Sequence, residues 1–377
     1  MNGSAPLHST GPTKLAVIGA SGFVGLRTVE LFSARTDLAV VPVVRAAASL
    51  AVLARQRLDW RISGFLDEAP LAAALHGCTV CVHAAIGDAG QIVRMSEVAY
   101  RACARAGVRR LVWLSSASVH SQNCPAGTEE TSPLHEHHPL VYNNAKVRAE
   151  RRLARLARDR RVEVVMLRPG VVFGPRSRWI ADAATALRAG RAAWLDTGAG
   201  VCNSIYIDNL VEAIRLAATV PAAAGETFLV GDAETVTWRE FLLPIARHLG
   251  RDEVDFHAAV APVIVPERES RLAAFTLTPA YARLARLVPA RAKRLVTAVA
   301  ENWSQPPARP SAWSLRTAQP VARLTPELAL LQLCRWKLPH TKAERLLGYR
   351  PPVSFGEGLR RSLAWLDFAG LGRPPAP

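Results

Sequence analysis

No apolar run in this chain of 377 residues approaches the length needed to cross a bilayer. The residues before Lys14 have neither a basic start nor an apolar core, so no secretory signal is read there and a cytoplasmic protein is expected. Acidic residues are scarce, with 31 Asp and Glu against 47 Lys and Arg, which leaves a formal net charge of +16. That excess invites a nucleic-acid reading. The arginines, however, are dispersed, with no aromatic interleaving and no recognisable binding module, so no nucleic acid is expected and the charge suits an anionic cofactor, an anionic substrate or a membrane surface. Cysteine is sparse too. The six are scattered among apolar residues, and the one C-x-x-C, Cys78 and Cys81, has no second pair, which argues for reduced thiols in a core over a disulfide framework or a zinc site.

What is present begins with half the residues being hydrophobic, enough for one large or two modest domains. The stretch 14–30, KLAVIGASGFVGLRTVE, joins a short apolar run to Gly19, Gly22 and Gly25 and then to helical spacing. Strand, tight turn and helix start in that order make a seat for a pyrophosphate. The first glycine permits the turn, the second lets phosphate approach the backbone, and the third lets the helix pack close to the strand. An ordinary glycine-rich turn would look the same, so support must come from further along.

Residues 38–44 read as a second buried parallel strand, ending at Arg45. Dinucleotide-binding folds place an acid about twenty residues past the glycines to hold the ribose hydroxyls of NAD, or an arginine to accommodate the extra phosphate of NADP. No acid stands here. Arg45 therefore favours NADP over NAD, against the blander reading of a solvated strand-end arginine. A strand over 78–85, an amphipathic helix over 91–107 stopped by Gly107, and a strand over 111–114 continue the alternation that predicts an α/β fold with a doubly wound parallel sheet. Ser115, Ser116 and Ser118 follow the last of these strands, where such sheets hold their ligands. The loop 121–139 carries His135, Glu136, His137 and His138. It reads as a histidine-rich surface loop, and no metal site is assigned.

Tyr142 and Lys146, four residues apart, share one helical face with Ala149, Leu153 and Leu156, while Arg148, Arg151, Arg152 and Arg155 lie opposite. An ammonium beside a phenol is expected to lower its pKa and make the tyrosine a usable acid or base near neutral pH.

With these pieces in order, the chain resembles the extended short-chain dehydrogenase/reductase family, also called the NAD-dependent epimerase/dehydratase family. The resemblance is carried by GASGFVG (19–25), HAA (83–85), SSASV (115–119), YNNAK (142–146), LRPGVVFGP (167–175), SIYIDNLVEAI (204–214) and a closing LLGYRPPVSFGEGLRRSLAWL (346–366). It implies a Rossmann-type doubly wound parallel sheet with a smaller, discontinuous, mostly helical C-terminal substrate domain. Residues 13–168 and 204–231 would form the first and residues 169–203 and 232–370 the second, with 1–12 and 371–377 as disordered tails. Tyr142 would transfer the proton, Lys146 would bind the nicotinamide ribose and tune Tyr142, and Ser116 would hydrogen-bond the reacting oxygen. The cofactor would lie against Gly19, Ser21, Gly22, Phe23, Val24 and Gly25, against Ala84 and Ala85, and against Arg168, Pro169 and Gly170, with Tyr142 and Lys146 at its nicotinamide end.

Departures narrow the reaction. Ala117 and Ser118 stand where dehydrating relatives carry an Asp-Glu pair, Cys202 and Asn203 where many nucleotide-sugar enzymes place an arginine, and Val171 where they have an asparagine. The RPGVVFGP form looks more like the 3β-hydroxysteroid dehydrogenase and ketone-reductase branch. The adenine-contacting acid is absent or shifted to Asp67. These features favour a NAD(P)-dependent oxidoreductase interconverting a secondary alcohol and a ketone, with a nucleotide-sugar epimerase or a non-catalytic cofactor-sensing protein as alternatives. Its partner would be a small molecule, either a bulky ketone or alcohol or a nucleotide sugar.

Thr237 with Glu240 and Ser354 with Glu357 predict capping boxes ahead of two later helices. Residues 271–303 form a basic amphipathic stretch, readable as a solvated cap or as peripheral contact with an anionic membrane, and 306–320 reads as a linker. The resemblance also implies a homodimer through the helices containing Gln91 and Tyr142, which the outward arginines would oppose by like-charge repulsion.

Overall fold

Apolar residues that alternate across a strand, Leu15 and Val17 against Ala16 and Ile18, are buried on both sides of the first strand, so that strand must lie between two layers. The computed structural model describes residues 12–54, 57–267 and 324–372. The basic stretch 271–303, the linker 306–320 and nearly all of both tails lie outside the described residues.

The elements of the first layer alternate as the apolar periodicity predicts. They are β1 (Thr13–Ile18), α1 (Phe23–Ser33), β2 (Leu38–Val44), β3 (Arg61–Ile62), α2 (Glu68–Ala74), β4 (Val80–His83), α3 (Ala89–Ala106), β5 (Arg110–Leu114), α4 (Val141–Leu156) and β6 (Glu163–Pro169). The chain then passes through β7 (Val171–Phe173), α5 (Arg178–Arg188), β8 (Ala193–Trp194), β9 (Val201–Cys202), β10 (Ser204–Tyr206), α6 (Ile207–Thr219), β11 (Thr227–Val230) and α7 (Trp238–His248). After the undescribed stretch come α8 (Pro326–Leu333), α9 (Thr341–Leu347) and α10 (Phe355–Phe368). Seven strands form one parallel sheet in the order β11-β6-β5-β4-β1-β2-β3. The order reverses between β1 and β4, where open α/β sheets leave a crevice beyond the strand ends.

One sheet face packs under α1 and α6, with Ala343, Leu347 and Tyr349 joining from the C-terminal segment, and the other packs under α2, α3 and α4. A further core gathers β7, α5, α7 and α10 around Phe173, Trp238 and Phe241. It joins the sheet through β10, which returns beside β7 in parallel register, Ser204 opposite Val171.

Gly107 stops α3 in the left-handed conformation, φ 73°, and the Thr237–Glu240 capping box closes the start of α7. The second box is only half made. Ser354 accepts from the Glu357 amide, but the Glu357 carboxylate turns outward to Arg360 and Arg361, while Glu234 takes the free amide of Phe355. Of the outward arginines of α4, Arg152 pairs with Glu97 of α3 and Arg151 with Glu136, which offsets part of the positive charge on that face. All six cysteines are buried and unbonded, as apolar surroundings led us to expect. Among the described residues no helix is long and apolar enough to cross a membrane.

Candidate active site

The glycine turn is shaped by contact as well as by conformation. Gly19 has φ 81°, and a β-carbon there would lie 2.7 Å from the Ala85 nitrogen; one on Gly25 would lie 2.2 Å from the Gly19 carbonyl oxygen. The start of α1 is thus pressed onto the end of β1, and Ala84 is held alongside by a hydrogen bond from its amide N–H to the Ile18 carbonyl, 2.9 Å. Gly22 caps α1 with no side chain over the helix N-terminus, and the first turn contains no acid. Backbone N–H groups and the positive helix end are therefore open to an anion, which is the cradle a dinucleotide pyrophosphate needs. Ser21 borders this turn half-buried, whereas the side chains of Phe23 and Val24 pack into the core around Phe173, so what these two offer a cofactor is backbone.

Arg45 is the first residue past β2 and is exposed, with Ala46, Ala47 and Ala48 after it and no carboxylate beside it in sequence. On the adenine side, Phe65 is buried edge-on to His83, ring centroids 6.5 Å apart. Asp67 sits two residues later, exposed, at the N-cap of α2 without a side-chain cap bond.

Beyond the ends of β4 and β5 the predicted trio comes together. Ser116 caps a short turn over Ala117–His120, accepting from the Ser118 amide, and its hydroxyl lies 2.8 Å from that of Ser118. Tyr142 stands in the first turn of α4, where the Ser116 hydroxyl acts to lower the pKa of its phenol. Lys146 is buried one turn on, donating to the Leu114 carbonyl at 2.8 Å, with its ammonium 5.4 Å from the Trp113 ring centre and 5.7 Å from that of Tyr142.

The expected lowering of the Tyr142 pKa is not what this arrangement produces. Burial pushes the phenol up to about 12, and the Ser116 hydroxyl pulls it only partly back. Lys146 donates to the Leu114 carbonyl and its ammonium lies 5.7 Å from the centre of the tyrosine ring, and it is not among the groups that shift the phenol. Burial likewise brings Lys146 down to about 8, opposed by the carboxylate of Glu150. At neutral pH the phenol keeps its proton by a wide margin and the ammonium by only about one pH unit.

Glu150 continues the face of Tyr142 and Lys146 by one more turn. It accepts from Ser115 Oγ at 2.5 Å and from both Nε and Nη2 of Arg168, at 3.0 and 2.6 Å. Arg168 also reaches His120 Nε2 at 2.9 Å and the Glu130 carbonyl at 3.0 Å. Its guanidinium is thereby spent inside the protein, so that Arg168 would have only its backbone to offer a cofactor. Glu150 has no place in the sequence motifs above; a carboxylate one turn past the lysine on the same face was the available signal. The loop histidines have a structural use, with His138 against the Val119 carbonyl at 3.1 Å and the His135 ring stacked on it.

On the substrate side, Asn203 binds the C-terminal segment. Its amide donates to the Trp336 carbonyl at 3.0 Å and accepts from the Leu338 amide at 2.8 Å. Arg178, at the start of α5, pairs with Glu327 of α8 at 2.9 Å, and the two act on the Tyr142 phenol with opposite signs. Glu267 accepts from the Val141 amide at 2.9 Å, capping α4 from a distant segment.

Known proteins are similar to this chain. The profile of a family described as NAD(P)H-binding matches residues 19–180. A UDP-glucose 4-epimerase of Vibrio cholerae is 27% identical over 257 residues, covering 62% of this chain and 75% of its own. A 2-alkyl-3-oxoalkanoate reductase of Stenotrophomonas maltophilia is 30% identical over 274 residues, 69% of each chain. Among solved structures, the dTDP-glucose 4,6-dehydratase DesIV of Streptomyces venezuelae, with NAD and TYD bound, superposes with a TM-score of 0.65 at 20% identity, covering 94% of this chain and 97% of its own.

Proposed function

Because the chain belongs to the extended short-chain dehydrogenase/reductase family, a family of NAD(P)-dependent enzymes, we propose that it reduces a bulky ketone to a secondary alcohol, or runs the reverse reaction, with NADP as the preferred cofactor. The observation that carries this reading is the convergence of Ser116, Tyr142 and the buried Lys146, whose ammonium lies 5.7 Å from the Tyr142 ring centre, at the C-terminal edge of the sheet that also holds the glycine turn. The nicotinamide supplies or accepts the hydride when bound. Ser116 and Tyr142 would hold the reacting oxygen between them, and the protonated phenol is the group able to deliver a proton to it. A tyrosine kept protonated at neutral pH suits reduction.

Ala117 and Ser118 leave no acid–base pair for removing water, and Asn203 is occupied in holding Trp336 and Leu338, which disfavours a nucleotide-sugar diphosphate there. The Stenotrophomonas relative is a reductase of 2-alkyl-3-oxoalkanoates, so ketones with a neighbouring carboxylate belong among the first candidates. The epimerase reading keeps support from the Vibrio relative.

The test is absorbance of NADPH and NADH with purified protein and a panel of bulky ketones, 3-oxo acids and nucleotide sugars. Net oxidation by a ketone, lost in Tyr142→Phe, is the expected result. Isomerised nucleotide sugar without net oxidation would replace it with the epimerase.

A further inference from the structure

Tyr142, Lys146 and Glu150 recur at intervals of four along α4, so all three project from one helix face toward the ends of β5 and β6. Two of them belong to the site proposed above. The third carries a charge in a place where charge is costly: Glu150 and Arg168 are 4% and 5% exposed, and a buried ion pair of this kind gains little over a well-packed apolar pair. Something other than net stability must be sought for it.

Lys146 is the group with the matching need. It is buried, and its hydrogen-bond acceptor is a neutral carbonyl. Trp113 and the Leu114 carbonyl face it from β5, Tyr142 precedes it on α4, and His83 from β4 lies close enough that the two repel when both are charged. Beyond Tyr142 stand Arg178 and Glu327, which pair with each other. Glu150 stands four residues on along the same buried face of α4, where its negative charge opposes the loss of the Lys146 proton. The same carboxylate accepts from Ser115, the neighbour of Ser116, and is aligned by Arg168, whose remaining donor ties His120 and Glu130 on the loop after Ser116.

We propose that Glu150 is a positioning residue of this site: its carboxylate is the counter-charge that keeps Lys146 an ammonium, and the anchor that fixes Ser115, and with it Ser116, opposite Tyr142. Arg168 orients that carboxylate. The inference rests on the catalytic reading of Tyr142 and Lys146 for its meaning in turnover, but its electrostatic content stands apart from turnover.

The chain has only five lysines, Lys14, Lys146, Lys293, Lys337 and Lys342, so the titration of lysine side chains labelled with 13C at Cε can be followed by NMR and the Lys146 signal assigned by its loss in Lys146→Arg. In Glu150→Gln the Lys146 midpoint is expected to fall by about one pH unit or more, the size a buried neighbouring charge commonly exerts. Ser115→Ala keeps the carboxylate and is expected to leave the midpoint where it is. If Glu150→Gln strands Arg168 and fails to fold, Glu150→Gln/Arg168→Gln removes both charges and is expected to shift Lys146 in the same direction. An unchanged midpoint in a folded variant lacking Glu150 overturns the proposal. Where a ketone substrate has been found, the alkaline limb of kcat/KM should move to lower pH in step with the Lys146 midpoint; a uniform loss at all pH values would make Glu150 merely structural. A protein that turns over no substrate would remove the catalytic reading, yet the NMR titration would still decide whether Glu150 holds the charge of Lys146.

Discussion

Asn203 and Leu338 are joined by a 2.8 Å hydrogen bond from the Leu338 amide to the Asn203 side-chain carbonyl, and the other half of the same side chain donates to Trp336. One residue thus pairs two backbone groups of a segment more than a hundred positions away. Asn203→Ala would leave both partly buried backbone groups without their partner, at about 1–3 kcal/mol for each group left unsatisfied. A lower denaturant midpoint, with faster proteolysis around Trp336, is the expected outcome, and wild-type behaviour in both measurements would show that the segment is held elsewhere.

Gly25→Ala tests the packing of the glycine turn. The added carbon has 2.2 Å of room before the Gly19 carbonyl oxygen, and neither backbone can yield without moving α1 off β1. Dinucleotide binding, followed by the fluorescence of reduced nicotinamide, should be lost or weakened by more than about tenfold if the helix start is what receives the pyrophosphate. Tight binding by a folded Gly25→Ala protein would refute that placement.

Arg45 is exposed at the end of β2, where the extra phosphate of NADP would arrive under the reading above. Removing a charge-assisted hydrogen bond typically costs about 1.5–3 kcal/mol, roughly tenfold or more in affinity. Arg45→Ser is accordingly expected to weaken NADPH binding by that factor and to leave NADH little changed. Equal losses for both cofactors would point to general electrostatics instead of phosphate recognition.

Two buried histidines make the fold sensitive to acid. Burial, then the charge of Lys146, holds His83 down at about 3; burial, then Arg168, holds His120 at about 4. An unfolded histidine takes its proton near 6.5, so below that pH the unfolded chain binds more protons than the folded one. The stability these groups contribute is complete above pH 6.5 and drains away as pH falls through about 4 and then about 3. The slope approaches about 1.4 kcal/mol per pH unit for each. Denaturation of His120→Gln should therefore lose stability less steeply between pH 6 and pH 4 than wild type does. Parallel slopes would remove His120 from the account.

How far the sequence could be read follows from the range over which each feature is determined. Residues 38–44 and 227–230 announce themselves as strands because buried parallel strands need uninterrupted apolar runs, and the three glycines because their spacing encodes a local turn. Tyr142 and Lys146 are legible through a single helix period. The sign of the Tyr142 shift is not, since it depends on whether the Lys146 proton meets a phenol or the Leu114 carbonyl, a matter of ångströms set by β5. Arg168 was legible as a residue of the strand-end motif but not as the partner of Glu150, because that contact joins a helix to a strand and no periodicity within either one contains it. The half-made box at Ser354 belongs to the same class: Arg360 and Arg361 compete for Glu357, and residue spacing cannot rank competitors.

The distribution of the C-terminal residues between the cores bears on how the chain is made. All seven sheet strands precede residue 231, yet the core under α1 and α6 takes in Ala343, Leu347 and Tyr349, and the core around Phe173 is closed by Leu359 and Leu366. On a ribosome the sheet would emerge with an apolar face still bare, and Tyr206, against whose ring the backbone of Gly358 packs, would wait some 150 residues for its cover. Closure of the two cores therefore waits until residues 343–349 and then 359–366 have emerged.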